Sequence, residues 1–117
     1  MPQPSRIYHI CRREEWVAGA IRGAYSGSSQ DAEDGFIHFS TGAQVTASAA
    51  KHRAGQPDLV LLTIETRRLG AALRWEAARD GRLFPHLYGA LPVEAVLAVD
   101  DLPLDDDGRH VFPPGVG

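Results

Sequence analysis

The stretch GFIHFSTGAQ, residues 35–44, contains a strand that passes directly into a helix. Aromatic and β-branched residues dominate its first half, and this composition is typical of a strand. Because side chains alternate along a strand, Phe36, His38 and Ser40 are predicted to share one face. Two of these three side chains are polar and carry groups that can take part in chemistry.

The second half of the stretch predicts the start of a helix. Thr41 and Gln44 match a capping box, with the Thr41 hydroxyl as the helix cap. An Ala-rich segment follows and is predicted to stay helical to about residue 53. The stretch thus contributes one strand and one helix to a predicted α+β domain.

Upstream of this stretch the sequence predicts a strand, a helix and a loop. Residues 6–11 favour a strand on which Tyr8 and His9 face opposite ways. Residues 13–22 have apolar side chains at helical spacing. Residues 25–35 are polar and rich in Gly and Ser, so we expect a loop that covers a ligand.

Downstream, the chain alternates strands and turns. The apolar run at residues 59–64 predicts a strand buried on both faces. Residues 73–77 predict a further strand, and residues 91–99 predict a helical turn and then a strand. Between them lies the segment 83–89, in which Pro85 argues against an interior position in a sheet.

The length of 117 residues suits one hydrophobic core. We therefore expect a single globular domain over residues 1–104. Residues 105–117 form an acidic and then Pro/Gly-rich tail that is predicted to fray.

Charge and composition exclude several classes of protein. The net charge is −3 and the Arg residues are scattered among acids, which argues against non-specific nucleic-acid binding. Cys11 is the only cysteine, so no internal disulfide can form. No apolar run approaches the roughly 20 residues that span a membrane, and the N-terminus has no signal pattern. The cytoplasm is the expected location.

Three of the five histidines, His9, His38 and His86, lie among aromatic residues in or beside predicted strands. A polar group buried without a partner costs on the order of 1–3 kcal/mol. Three separately buried histidines would therefore be expensive, and one shared polar pocket is the alternative. We predict such a pocket as the functional site.

Imidazoles in such a pocket can orient a ribose hydroxyl, hold a phosphate or ligate a metal. A three-histidine metal site has no tight His spacing to support it, so no metal ligand is assigned. Ser40 is a candidate nucleophile with His38 as its base, although no Gly-x-Ser-x-Gly motif surrounds it. Glu76 is the one carboxylate predicted near the pocket. A non-catalytic module that binds a small anion or a peptide is a further alternative.

Several segments together resemble a known family. These are IYHI (residues 7–10), GFIHFST (35–41), RWE (74–76) and FPHLYG (84–89). In combination they resemble the family catalogued as domain of unknown function 952. That family is distantly similar to the ADP-ribosyltransferase-like superfamily, which implies a compact α+β domain with a split, mostly antiparallel sheet and two or three helices.

The resemblance also implies NAD or another nucleotide as the ligand. Tyr8 and His9 would hold its ribose, and the motif that ends at Thr41 would line its nicotinamide side. The superfamily's third motif often ends in a catalytic Glu, for which Glu76 and Glu94 are the candidates. This leaves both ADP-ribosyl transfer and histidine-dependent phosphoryl transfer open.

The leading hypothesis is therefore a nucleotide- or NAD-related transferase acting in a histidine-lined pocket. We expect the catalytic groups to be His9, His38, His86 and Ser40. We expect the ligand contacts to come from Tyr8, His9, Thr41, Glu76 and Tyr88.

Overall fold

The computed structural model describes residues 3–116. Within them the strands are β1 (Arg6–Arg12), β2 (Ala24–Tyr25), β3 (Ile37–His38), β4 (Leu59–Glu65), β5 (Leu73–Ala77), β6 (Leu83–Leu87), β7 (Leu91–Pro92) and β8 (Val96–Leu102). The helices are α1 (Arg13–Arg22), α2 (Ser29–Asp34) and α3 (Val45–His52). Short 3-10 turns cover Thr66–Arg68, Gly70–Ala72 and Val93–Ala95.

The strands pair antiparallel in three sheets, with the orders β1-β4-β8, β3-β6-β5 and β2-β7. Tyr8 and Ser40 exchange two backbone hydrogen bonds of 2.8 Å, which connect β1 to the chain just after β3. This bridge joins the two larger sheets along a short seam. The predicted α+β domain with antiparallel sheets and three helices is confirmed.

The main hydrophobic core lies between the two larger sheets. The alternation predicted for β1 is confirmed, since Ile7 and Cys11 enter this core whereas Tyr8 joins a smaller cluster on the opposite face. The predicted burial of β4 on both faces is also confirmed, because every residue from Leu59 to Ile64 is buried. Val60, Leu62 and Ile64 face the main core, and the alternate residues face the smaller cluster.

The prediction of a loop over residues 25–35 is wrong, because α2 lies within it. Ser28 caps this helix: its Oγ accepts from the Asp31 N–H at 3.3 Å, and the Asp31 carboxylate accepts from the Ser28 N–H at 2.7 Å. Gly27 and Gly35, both with positive φ, flank the helix. The flanking glycines made the whole segment resemble a loop.

The prediction that Pro85 keeps its segment out of a sheet interior is also wrong, since β6 lies between β3 and β5. The Pro85 carbonyl accepts from the Phe39 N–H at 3.0 Å, so the nitrogen of Pro85 faces the same neighbour. That neighbour, β3, ends at His38. The missing N–H therefore falls where the ladder stops and costs no regular hydrogen bond.

The helix predicted to start at Thr41 starts later. Gln44 occupies the cap position and α3 runs over Val45–His52. One half of the predicted capping box is present, because the Gln44 Oε1 accepts from the Thr41 N–H at 3.0 Å.

The tail does not fray over its described part, contrary to the prediction. Leu104 pairs with His110, and the His110 ring contacts the Gln56 carbonyl at 2.8 Å. Phe112 and Val116 then pack on the smaller cluster. No helix within residues 3–116 is long and apolar enough to cross a membrane.

Candidate active site

One face of the β3-β6-β5 sheet packs on the core and the other faces solvent. Ile37 and Leu87 point into the core, so their neighbours His38 and His86 point outward. The register places His38, His86 and Arg74 side by side across the three strands. We name this partly exposed side the open face; its side chains are Phe36, His38, Arg74, Glu76, Phe84, His86 and Tyr88.

His38 is held between two carboxylates. Its Nδ1 lies 2.6 Å from Asp31 Oδ1, and its Nε2 lies 3.1 Å from Asp34 Oδ2. A carboxylate only accepts hydrogen bonds, so both ring nitrogens can donate only when the ring is protonated. The His38 side chain is 41% exposed, which leaves the ring within reach of a ligand.

Asp31 is the buried anchor of this pair, with 4% of its surface exposed. Besides the ring of His38, its carboxylate accepts the backbone N–H groups of Ser28 and of His38. Burial alone would raise the pKa of Asp31, but the hydrogen bond from the His38 ring, then the nearby His9 ring and the two backbone hydrogen bonds, lower it to about 2. Asp31 therefore stays ionised and fixes the His38 ring in one orientation.

Gly27 makes room for this buried carboxylate. Its φ is +98°, and a Cβ placed there would lie 2.8 Å from the Asp31 Cβ. A side chain at this position would meet both backbone strain and steric overlap. The glycine just before α2 is therefore part of what positions Asp31.

His86 has a carboxylate partner of its own. Its Nδ1 lies 2.8 Å from Glu76 Oε1, which also accepts from the Tyr88 hydroxyl at 2.7 Å. The hydrogen bond from Tyr88 and then that from His86 lower the pKa of Glu76. Within residues 3–116, His86 Nε2 makes no hydrogen bond. The ring can therefore donate through Nδ1 and keep an accepting lone pair at Nε2.

Aromatic contacts bring the two histidines together. The ring of Phe36 stacks on His86 at 4.2 Å between centroids and lies 4.6 Å from His38. The centroids of His38 and His86 are 5.3 Å apart in an edge-to-face arrangement. Two carboxylate-bound imidazoles thus stand next to each other on the open face.

His9 lies beneath the open face rather than on it. It is buried, and its Nδ1–H donates to the His38 carbonyl at 2.6 Å. Burial lowers the pKa of His9 despite the nearby charge of Asp31, whose Oδ2 is 3.7 Å from Nε2. The neutral ring can accept from the Tyr25 hydroxyl, 2.8 Å from Nε2. His9 therefore supports the backbone of His38 from the core side.

The predicted site residues separate into groups. The structure brings His38, His86, Glu76 and Tyr88 together and places His9 behind them. Three others lie elsewhere: Ser40 donates to the Ser48 hydroxyl at 3.1 Å, Thr41 binds Gln44 through its backbone, and Tyr8 packs in the smaller cluster. Strand alternation separates Tyr8 from His9, because consecutive side chains point to opposite faces.

Sequence reasoning missed Asp31, Asp34 and Arg74. The missed signal for Asp31 was the pair Ser28-x-x-Asp31, which matches a capping motif and marks a helix start. Only the strand register, which places Arg74 opposite His86, identifies Arg74 as a candidate site residue.

The histidines do not converge on a metal. Within the described part of the chain, no group of three His, Cys, Asp or Glu side chains is arranged to hold one. His9 directs its nitrogens to Tyr25 and to the His38 carbonyl, away from His86. The geometry therefore gives the three-histidine metal hypothesis no support.

A shallow depression of about 200 Å³ adjoins the open face. We name it the side cleft; its lining includes Ser26, Asp31, Ala32, Phe36, Gly89 and Ala90. Phe36 belongs to both, and Asp31 connects the side cleft to the open face through its contact with His38. The side cleft thus extends the site beyond the reactive groups.

Comparison with known proteins places the chain in a family. The family model described as "Protein of unknown function (DUF952)" matches residues 10–99. The crystal structure of protein CC0527 from Caulobacter crescentus is 48% identical, with a TM-score of 0.86 over 91% of this chain and 93% of that one. The solution NMR structure of CC0527 has a TM-score of 0.80 and 48% identity over 91% of each chain. No curated protein matches this chain. The family model covers most of the sequence, so the chain belongs to the DUF952 family.

Proposed function

We propose that the protein is a nucleotide-binding enzyme that transfers or cleaves phosphate esters, with His38 and His86 as its acid–base pair. The observation that carries the proposal is the pair of carboxylate-bound imidazoles 5.3 Å apart on the open face. A histidine pair suits this task because imidazole both gives and takes protons near neutral pH.

The hydrogen bonds favour a different role for each ring. We assign His38 as the general acid, because a carboxylate lies beside each of its ring nitrogens and a carboxylate can only accept a hydrogen bond. His86 faces one carboxylate through Nδ1 and has an unused Nε2, which makes it the general base. The two rings thus have the different hydrogen-bond partners that a general acid and a general base need.

In the proposed step, His86 Nε2 accepts the proton of an attacking hydroxyl, and the oxygen of that hydroxyl forms a bond to phosphorus. The ester P–O bond breaks, and His38 Nε2 donates its proton to the leaving oxygen. The two rings have then exchanged protonation states, and proton exchange with solvent restores them.

Asp34 must release His38 Nε2 for this step. Its side chain is 42% exposed, and the pair is four residues apart on the surface. Exposed ion pairs of this kind contribute little stability, about 0–1 kcal/mol. A phosphate oxygen can therefore take the place of the Asp34 carboxylate at low cost.

ADP-ribosyl transfer from NAD has weaker support. The resemblance to the superfamily implies a glutamate that is free to act on the ribose. The carboxylate of Glu76, however, already binds His86 and Tyr88. Glu94, the other candidate, lies in the 3-10 turn Val93–Ala95. NAD remains a ligand to test because it carries two phosphates and two riboses.

The test combines binding and turnover. Amide shifts are followed with nucleoside 2′,3′-cyclic phosphates, nucleoside monophosphates and NAD at millimolar concentration, and phosphorus NMR detects ester cleavage. We expect His38→Gln and His86→Gln each to lower the rate by about 10²–10⁴-fold, the usual contribution of a general acid or base. His52→Gln, an exposed histidine on α3, is the matched control and should keep the rate.

Two outcomes would overturn the proposal. Shifts on the open face without turnover of any ester would indicate the non-catalytic binding module. An absence of shifts with all three ligand types would remove nucleotide binding as well.

A further inference from the structure

We propose that the substrate is a phosphate ester with one planar ring, of the nucleoside phosphate class, whose phosphate lies along the row His38-His86-Arg74 and whose ring enters the side cleft. This inference rests on the proposed function and adds the positions of the substrate's phosphate and ring and a binding residue, Arg74.

The phosphate position follows from the row across the three strands. Neighbouring strands are about 4.8 Å apart, so the row presents two imidazoles and a guanidinium along roughly 10 Å. The Arg74 guanidinium lies 5.1 Å from the centre of the Tyr88 ring, a contact that keeps it on the open face. A guanidinium binds two oxygens of one phosphate at once, which makes Arg74 the natural holder of the anion.

Nearby carboxylates do not oppose an anion there as strongly as their number indicates. Asp31 is paired with His38, and Glu76 with His86 and Tyr88. Asp34 is the carboxylate on the reactive side of His38, and it occupies the site that a phosphate oxygen would take. Binding therefore exchanges one anion for another at His38 Nε2.

The ring position follows from the size and lining of the side cleft. Its volume of about 200 Å³ is below the range of about 300–1,000 Å³ typical for whole drug-sized ligands, so it suits one ring system. Ala32, Gly89 and Ala90 give small walls, Phe36 gives an aromatic edge, and Ser26 can exchange hydrogen bonds with ring nitrogens. Phe36 lines the side cleft and also contacts both histidines. A ligand whose ring lies in the side cleft can therefore place its phosphate on the row.

The experiment measures the affinities of AMP, ribose 5-phosphate and inorganic phosphate by calorimetry. We expect AMP to bind at least tenfold more tightly than ribose 5-phosphate. Ala90→Trp, which fills the side cleft, should remove that difference and leave the affinity for inorganic phosphate within about twofold. Ala54→Trp, at an exposed position after α3, is the matched control and should keep the difference.

Arg74→Gln tests the phosphate position and should weaken the binding of all three ligands at least fivefold. Equal affinities for AMP and ribose 5-phosphate, or no effect of Ala90→Trp, would overturn the ring assignment. An unchanged phosphate affinity in Arg74→Gln would overturn the role of Arg74.

These failures can be told apart from failure of the proposed function. Ring-dependent binding without turnover would end the catalytic proposal and keep the ligand class. Equal kcat/KM for esters with and without a ring would keep the catalysis and end the ring assignment.

Discussion

The two larger sheets are both three-stranded and antiparallel, and each packs one face on the main core. They differ in what covers the other face. In β1-β4-β8 the central strand β4 is buried on both sides, since the smaller cluster, with Val45 from α3 and Phe112 from the tail, covers the outer face. In β3-β6-β5 the central strand β6 is buried on one side, and its other side carries His86. The comparison teaches that the candidate site lies on the sheet face that packing leaves uncovered.

The largest expected stability effect tests whether the covered second face of β4 is packed, with the same substitution at the exposed end of β6 as the reference. Leu61→Ala on β4 should lower the free energy of unfolding by about 2–5 kcal/mol, because Leu61 is buried in the smaller cluster and its truncation leaves a cavity there. Leu83→Ala on β6 should change it by less than about 0.5 kcal/mol, because Leu83 is 53% exposed. Urea unfolding measures both, and equal losses would break the comparison.

The next effect concerns the link between the open face and the core. The pKa of Asp31, about 2, is below its ordinary value of 3.8, so its ionised form stabilises the fold. This contribution is complete above about pH 5 and is lost as the pH falls toward 2, and the difference between the two pKa values corresponds to about 2 kcal/mol.

Asp31→Asn should therefore be less stable at pH 6 and lose less stability than the wild type between pH 4 and pH 2. Asp106→Asn, an exposed carboxylate of the tail, is the matched control. Thermal unfolding across this range gives the answer, and parallel curves for wild type and Asp31→Asn would show that the buried carboxylate is not coupled to folding.

The smallest effect concerns the open face alone. Asp34→Asn removes the exposed carboxylate at His38 Nε2 and should tighten the binding of inorganic phosphate about two- to fivefold. Stability should change by less than about 0.5 kcal/mol, since the position is on the surface. Calorimetry measures the phosphate affinity and urea unfolding measures the stability of the same sample. Weaker phosphate binding would contradict the proposal that a phosphate oxygen replaces the Asp34 carboxylate at His38 Nε2.

The sequence allowed most of the fold to be predicted, for a local reason. Alternation on β1, the apolar run of β4 and the helical spacing of α1 are each visible within about ten residues. The failure at β6 occurred where a partner strand decided the outcome. Pro85 is tolerated in a central strand because β3 stops beside it, which no local pattern indicates.

The candidate site could be predicted in part. His38, His86, Glu76 and Tyr88 were expected in one site and do lie together. Ser40 was expected there from its shared face with His38, but its hydroxyl turns to Ser48 of α3. The carboxylate that orients His38 was missed, because its helix is short and flanked by glycines.

By itself, the sequence determined which residues could carry chemistry and to which face of its strand each would point, because alternation is a property of the backbone. Only the tertiary structure decided which of them meet. His38 and His86 are 48 residues apart and become neighbours through strand pairing, whereas the adjacent Tyr8 and His9 are separated by the sheet itself. Covering one face of β1-β4-β8 and leaving the matching face of β3-β6-β5 open is likewise a result of packing, and that choice created the site.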